Sequence, residues 1–138
     1  MRAGRTDDLA TCHALRRRVF IDEQGVTEAE EMDDLDDRAI HLLGWQDDGQ
    51  AVATARVLID GDTGKIGRVC VLAEARGTGA GAAIMRAAIA VLREEGAAQV
   101  KLSSQTHALP FYEKLGFVAY GPEYPDAGIP HRDMVLEL

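Results

Sequence analysis

The chain has few cysteines, a minority of basic residues and no long apolar run, and each shortage excludes a class of protein. Its two cysteines, Cys12 and Cys70, lack the spacing of metal ligands and are too few for a disulfide framework. No stretch approaches the run of roughly 20 apolar residues that a membrane-spanning helix requires. The first residues also lack the apolar segment of a signal peptide. We therefore predict a cytoplasmic protein with no metal site and no membrane partner.

The charge balance is acidic: 15 lysines and arginines stand against 23 aspartates and glutamates, for a net charge of −8. This balance argues against general nucleic-acid binding, because the protein would repel the phosphates. The acidic residues are concentrated between Asp22 and Asp37. A surface of this sign would attract a cationic amine, and an exposed, solubilising loop is the alternative interpretation.

The apolar patterns predict an α+β fold in a single domain over residues 1–138. An N-terminal helix, capped by Thr6-Asp7-Asp8 and running to about Arg18, precedes an antiparallel meander. A longer helix from about Gly79 to Glu95 follows it, with Gly96 as a C-cap. The predicted meander strands are 39–45, 51–59 and 65–72, and the later elements are a strand at 99–103, a helix at 108–115 and strands at 117–120 and 133–138.

A glycine-rich turn, Arg76-Gly77-Thr78-Gly79-Ala80-Gly81, stands at the head of the longer helix. Its three glycines would let a bulky anion approach the backbone N–H groups. The helix adds unpaired N–H donors and the positive end of its dipole. Arg76 adds a full positive charge at the rim, so the turn suits a pyrophosphate.

Other phosphate-binding motifs fit this turn less well. A Walker A loop needs Gly-Lys-Ser/Thr at its end, whereas Gly81 is followed by alanines. The dinucleotide fingerprint is matched in form, but its acidic partner about 20 positions on is replaced by Ser103-Ser104. A glycine-rich turn with no ligand is the remaining alternative.

A second motif, Ala108-Leu109-Pro110-Phe111-Tyr112-Glu113-Lys114-Leu115-Gly116-Phe117, follows in order. Together with Val69-Cys70-Val71 and the glycine turn, it closely resembles the GNAT superfamily of N-acetyltransferases. The segments Val19 to Gly25, Asp33 to Asp37 with His41, and Asp126 to His131 resemble its ElaA/YjcF-like branch.

The resemblance implies a mixed, mostly antiparallel, splayed sheet flanked by helices, with acyl-CoA bound between two parallel central strands. Acetyl-CoA would be the acyl donor. Backbone groups of Val69 and Val71 would bind its pantetheine arm, and the glycine turn would bind its pyrophosphate. Gln105 stands where the family usually has asparagine and can offer the same amide donor. The family often dimerises, so a homodimer is an alternative to a monomer.

The resemblance also implies how the reaction would proceed. Tyr112 matches the tyrosine that the family often uses as general acid, since a phenol O–H can protonate the leaving thiolate. Packing of its ring against the core is the alternative interpretation. The acceptor would be a small-molecule or peptide amine, and the candidate bases for it are Glu23, Asp36, His41 and His131. A non-catalytic acyl-CoA sensor is the rival function. The other candidate acceptor-site residues are Phe20, Gln24, Asp36, His41 and His131.

Overall fold

The computed structural model describes residues 1–138 and shows one mixed sheet of seven strands with four α-helices around it. The strands are β1 (Arg2–Thr6), β2 (Ile40–Trp45), β3 (Ala51–Asp60), β4 (Thr63–Val71), β5 (Gln99–Gln105), β6 (Val118–Asp126) and β7 (Ile129–Glu137). The α-helices are α1 (Leu9–Arg16), α2 (Glu28–Glu31), α3 (Ala80–Glu94) and α4 (Leu109–Lys114). The strand order is β1-β2-β3-β4-β5-β7-β6, and the α+β prediction is confirmed.

The first half of the sheet, before the parallel β4–β5 pair, has one strand more than the sequence predicts. The predicted meander is present as β2, β3 and β4. β1 extends it by pairing antiparallel with β2, from Arg2 opposite Trp45 to Thr6 opposite His41. The sequence of β1 is largely polar and lacks the apolar alternation that marks a strand, so the pattern carries no signal for it.

The N-terminal helix is shorter than predicted. α1 begins after Asp8, whose carboxylate accepts a hydrogen bond from the Thr11 N–H at 3.1 Å, as the predicted cap requires. α1 ends at Arg16, and the chain continues with π-helical hydrogen bonding over Arg17–Glu23. Widened turns of this kind occur frequently at functional sites. This one carries Phe20, which lines the central cleft of the molecule.

The hydrophobic core lies where α1 and α3 pack against the sheet. On α3, Ile84, Met85 and Leu92 recur at helical spacing and are completely buried. Strand residues such as Leu42 and Val52 are buried to the same degree. None of the helices combines the length and apolar character of a membrane span.

The two central strands, β4 and β5, run parallel but stay paired over only three positions, the last being Lys65 opposite Lys101. At this closed end α3 lies very close to the sheet. A Cβ atom on Gly64 would lie 2.6 Å from the Leu92 side chain, so glycine is required for the helix to approach this closely. Beyond the closed end the strands are no longer paired, and the predicted splay of two parallel central strands is confirmed.

The closing hairpin is longer than predicted. β6 continues to Asp126 and β7 begins at Ile129, whereas the sequence predicts strands only at 117–120 and 133–138. Prolines, glycine and charged residues in the middle of the hairpin obscure its pattern, since they are depleted in strands. The additional length brings Asp126 and His131 to the central cleft.

Candidate active site

Where β4 and β5 separate, they leave a cleft of about 1020 Å³. Its walls come from β4, the glycine turn before α3, the Arg17–Glu23 segment, the end of β5, α4 and the β6–β7 hairpin. The sequence-predicted residues that line it are Phe20, Glu23, Gln24, Val69, Val71, Arg76, Gly77, Gly79, Gly81, Gln105, Tyr112 and His131. The structure therefore brings most of the predicted residues into one space. Four predicted residues do not line it: Thr78 and Ala80 belong to the glycine turn between lining residues, whereas Asp36 and His41 line a separate depression beside Arg5.

The edge of β4 that faces the cleft is irregular and has no strand partner. The register between β3 and β4 shifts between Thr54 and Arg56, which places a bulge in β4. In this bulge Arg68 has a φ of 52°, a left-handed conformation that is uncommon for a residue with a side chain. From Ile66 to Val71, β4 forms no pairs on the β5 side. This edge therefore presents backbone hydrogen-bonding groups to an extended ligand in the cleft.

The glycine turn has the backbone geometry of an anion site. Gly77 and Gly79 have φ values of 80° and 87°, which favour glycine, and Gly79 is the N-cap of α3. No atom lies within 4 Å of a Cβ placed on either residue, so the space over the turn is open. The N–H groups of the first turn, Ala80–Ala82, have no partner within the helix. The Thr78 hydroxyl donates to the Ala75 carbonyl at 2.5 Å and holds the turn.

Gly81 is needed for a different reason. A Cβ atom there would lie 3.2 Å from Cζ of Phe111, closer than ordinary van der Waals contact. The missing side chain therefore lets the Phe111 ring of α4 lie against the start of α3. The third glycine joins the turn to the second motif by packing, whereas the sequence suggests only that it gives an anion access to the backbone.

Arg76 forms an ion pair with Glu23 at the edge of the cleft. Its Nη1 and Nη2 donate to the two carboxylate oxygens at 2.6 and 2.8 Å, and its Nε donates to the Val71 carbonyl at 3.2 Å. Both side chains of the pair are about half exposed. The hydrogen bond from Arg76 lowers the pKa of Glu23 below its ordinary value.

A polar contact joins Gln24, the residue after the π-helical segment, to the end of β5. The Gln105 side-chain amide donates to Oε1 of Gln24 at 2.8 Å. Its own carbonyl oxygen accepts a hydrogen bond from Nε2 of His107 at 2.6 Å. Gln105 is therefore oriented by two neighbours, both of which also line the cleft.

Tyr112 lies on α4 with its ring packed among aromatic residues. The ring meets Phe111 edge to face at a centroid distance of 4.9 Å and Phe117 at 6.1 Å. Burial, together with the nearby Cys70 thiol, raises the pKa of Tyr112 to about 12. Its hydroxyl forms no hydrogen bond with another protein group, and the residue lines the cleft. Packing of the Tyr112 ring against the core is therefore compatible with a hydroxyl that serves as a general acid in the cleft.

His131 lies on β7, opposite Gln105 in the register with β5. Only 9% of the residue is exposed. Its Nδ1 lies 2.6 Å from the Ile129 carbonyl oxygen, and its ring stacks on Tyr124 with the centroids 6.3 Å apart. The imidazole is therefore held in one orientation at the wall of the cleft.

Asp36 and His41 belong to a buried ion network. Asp36 accepts hydrogen bonds from Arg16, Arg56 and His13 at 2.9 to 3.0 Å, and the His41 ring bonds the Asp36 carbonyl oxygen at 2.9 Å. Burial opposes the charge on Asp36, but the hydrogen bonds prevail and hold its pKa well below the ordinary value. The structure therefore gives both residues contacts that stabilise the fold.

The arginines of this network are absent from the sequence prediction. Arg16 also bonds Glu31 at 2.5 Å, and Arg68 donates to Asp33 at 3.2 Å. The acidic segment therefore combines exposed acidic residues with buried carboxylates that are paired with arginines. The sequence does contain a sign of this buried network, because Arg56 interrupts an apolar strand and Arg16 falls on the apolar face of α1.

Fold and site together define a class of protein. A splayed sheet with one unpaired, bulged strand edge suits an extended amide chain such as a pantetheine arm. The helix N-terminus beside it suits a pyrophosphate, and the buried phenol suits acyl transfer. These are the features of an acyltransferase that uses an acyl-CoA donor.

Comparison with known proteins identifies the family. The family described as acetyltransferase (GNAT) domain matches residues 9–138. The uncharacterized N-acetyltransferase YjcF of Bacillus subtilis is 36% identical over 136 residues, 98% of this chain and 96% of its own. Escherichia coli ElaA is 31% identical, with a TM-score of 0.83 over 96% of this chain and 91% of its own. An acyl-CoA N-acyltransferase from Pseudomonas aeruginosa is 33% identical, with a TM-score of 0.84 over 98% and 99%.

The chain therefore belongs to the GNAT family of N-acetyltransferases. The predicted resemblance to the ElaA/YjcF-like branch is confirmed.

Proposed function

We propose that this N-acetyltransferase transfers the acetyl group of acetyl-CoA to a primary amine by direct attack of the amine on the thioester. One observation carries the proposal. The unpaired β4 edge, the glycine turn at the start of α3 and Tyr112 all line a single cleft. The acceptor would be a small molecule or a peptide, with Phe20 and Gln24 in the wall of its site.

The donor half of the cleft would bind CoA mainly through backbone groups. The pantetheine amides would pair with Val69 and Val71 much as an added strand would. An amide N–H of the arm would donate to the Val71 carbonyl oxygen and replace the hydrogen bond that Arg76 donates to it. The N–H groups of Ala80–Ala82 and the positive end of α3 would hold the pyrophosphate. The Gln105 amide would supply a further donor.

Tyr112 would supply the proton for the leaving group. As the amine forms its bond to the thioester carbon, the C–S bond breaks and a thiolate develops. A phenol O–H beside the sulfur stabilises that charge and protonates it. With the pKa of Tyr112 raised to about 12 by burial, the hydroxyl keeps its proton throughout the physiological pH range.

Glu23 would have a supporting role in place of the catalytic one that the sequence suggests. Its carboxylate is already engaged by Arg76, and a carboxylate with a lowered pKa is a weaker base. We assign Glu23 the task of positioning Arg76. The distance of Asp36 and His41 from the cleft lining favours a structural role for both.

Direct attack is favoured over an acyl-cysteine intermediate. Cys12 is completely buried in the core. Cys70 lies beside the cleft, but burial raises the pKa of its thiol to about 12. Since the thiolate is the reactive form of cysteine, neither residue is suited to carry the acetyl group.

A Tyr112→Phe variant tests the proposal, with Tyr120→Phe as its matched control. Tyr120 lies on β6, is 39% exposed and does not line the cleft. We expect Tyr112→Phe to lower kcat about 100-fold on the best substrate of an amine panel, a typical loss for a general acid. Its affinity for acetyl-CoA, measured by calorimetry, should stay within about twofold of wild type. Tyr120→Phe should change neither quantity.

Two results would contradict this account. If Tyr112→Phe kept the kcat and pH profile of wild type, the acid role would be wrong. If wild type bound acetyl-CoA but acetylated no amine in the panel, a non-catalytic acyl-CoA sensor would describe the protein better.

A further inference from the structure

The proposed reaction needs a group that removes a proton from the acceptor, because an alkylammonium cannot attack a thioester. Most carboxylates around the cleft are already engaged. Glu23 pairs with Arg76, and the Glu31 carboxylate accepts a hydrogen bond from Arg16. Glu30 caps its own helix by accepting from the Thr27 N–H and hydroxyl. These groups are poorly placed to accept a further proton.

Two further titratable residues that line the cleft, Asp126 and His107, are exposed. Asp126 lies at the end of β6, and a carboxylate in contact with water is a weak base toward an ammonium group. His107 donates from Nε2 to the Gln105 carbonyl oxygen and has Nδ1 unused, but it is also exposed. His131 differs from both because it is 9% exposed and lines the cleft.

The hydrogen bond of His131 selects its tautomer. A carbonyl oxygen can only accept, so Nδ1 must donate its proton to the Ile129 carbonyl across the 2.6 Å contact. In the neutral ring Nε2 then carries a lone pair. No protein group forms a hydrogen bond with that nitrogen. When its ring is neutral, His131 therefore offers one unused acceptor nitrogen at the cleft wall.

A second set of contacts fixes the plane of this ring. Tyr124, opposite His131 in the β6–β7 register, stacks on it at an angle of 25°. The Tyr124 hydroxyl donates to Asp133 at 2.5 Å and also bonds the Ser103 hydroxyl. Tyr124 is therefore anchored by β5 and β7. Asp126 and Asp133 are the acidic groups that act on the Tyr124 hydroxyl.

We propose that His131 is the general base of the reaction and that Tyr124 positions it. The inference rests on the proposed function. Nε2 takes one proton from the acceptor ammonium, directly or through one water, and passes it to solvent. The free amine then forms the C–N bond as the C–S bond breaks, and Tyr112 protonates the thiolate. The second proton of the amine restores the Tyr112 hydroxyl through solvent, so one proton is released for each acetyl group transferred.

The first test reads the tautomer in the wild-type protein, with no substrate. Nitrogen-15 NMR of the labelled imidazoles distinguishes a protonated ring nitrogen from one with a lone pair. We expect His131 to be protonated at Nδ1 and unprotonated at Nε2 when neutral. The opposite tautomer would overturn the proposal, whether or not any variant folds.

The second test compares pH profiles of kcat/KM for wild type, His131→Gln and His13→Gln. His13 is a matched control because it lies on α1, outside the cleft lining. We expect His131→Gln to lose about 100-fold at neutral pH, with the loss shrinking as the pH approaches the pKa of the amine. At that pH the free amine no longer needs a base. His13→Gln should follow wild type.

A constant loss for His131→Gln at every pH, or no loss, would overturn the base role while leaving the transfer reaction intact. Failure of the proposed function itself would be seen in wild type alone, as acetyl-CoA binding without turnover, and would remove the basis of this inference too. Tyr124→Phe keeps the ring that stacks on His131 but loses the hydroxyl bonded to Asp133 and Ser103. Its pH profile of kcat/KM should therefore keep the wild-type shape, with a smaller decrease than His131→Gln shows.

Discussion

Gly79 is the position at which one substitution tests the donor site most cleanly. Its φ of 87° is unfavourable for other residues, and nothing lies within 4 Å of an added Cβ. Gly79→Trp should therefore cost mainly backbone strain, about 1–2 kcal/mol, because its Cβ meets no neighbouring atom. For a chain of this length that cost lowers Tm by about 3–8 °C. The indole would stand over the free N–H groups at the start of α3.

The expected loss of binding is much larger than the loss of stability. A hydrogen bond to a charged group contributes about 1.5–3 kcal/mol, so losing two of them weakens acetyl-CoA binding by about 3 kcal/mol or more, over 100-fold. Gly96→Trp is the control, because Gly96 ends the same helix with a φ of 85° and equally open surroundings. Scanning calorimetry should show similar Tm losses for both variants. If Gly79→Trp bound acetyl-CoA as tightly as Gly96→Trp does, the glycine turn would not be the pyrophosphate site.

Three further predictions concern charged and titratable groups. Glu23→Gln removes a half-exposed ion pair, so steady-state kinetics should show kcat within about tenfold of wild type, and urea titration should show an unchanged midpoint. A 1000-fold loss of kcat would restore its role as base. Arg56→Met removes a main partner of Asp33 and Asp36, so urea titration should show a free energy of unfolding lower by about 3–5 kcal/mol. A decrease below about 1 kcal/mol would contradict a stabilising role for the network. The network lowers the pKa of both carboxylates, so they contribute fully to the free energy of unfolding above about pH 4. Below that pH the two groups take up protons in the unfolded chain before they do so in the folded protein. Their contribution to stability should therefore be lost as the pH falls further. Cys70, with its pKa raised to about 12, should resist alkylation until denaturant is added, and rapid labelling of the native protein would contradict its burial.

The backbone geometry of the glycine turn could be predicted from the sequence because local rules determine it. A position before a helix that needs a positive φ is usually glycine, so the residue type itself indicates the conformation. Gly77 and Gly79 both have that conformation. The caps at Asp8 and Gly96 depend on neighbouring residues in the chain and lie where predicted. The role of Gly81 depends on Phe111, a contact between distant segments, and no local pattern shows it.

The positions of the proposed acceptor-site residues were harder to predict because they depend on long-range pairing. Asp36 and His41 stand in a suggestive order along the chain, yet Arg16 and Arg56 draw Asp36 into the interior network. The register that places His131 opposite Gln105 belongs to a hairpin whose middle has no strand pattern. Charged residues within apolar segments were the one available sign of a buried ion network.

The most direct test of the central claim is to follow product formation by mass spectrometry. Wild-type protein would be incubated with acetyl-CoA and a panel of primary amines, and the N-acetylated amine and free CoA would be quantified together. The account predicts equal amounts of the two products and no acetylated protein intermediate. Release of CoA with no acetylated amine, or an acetyl group trapped on a cysteine, would contradict it.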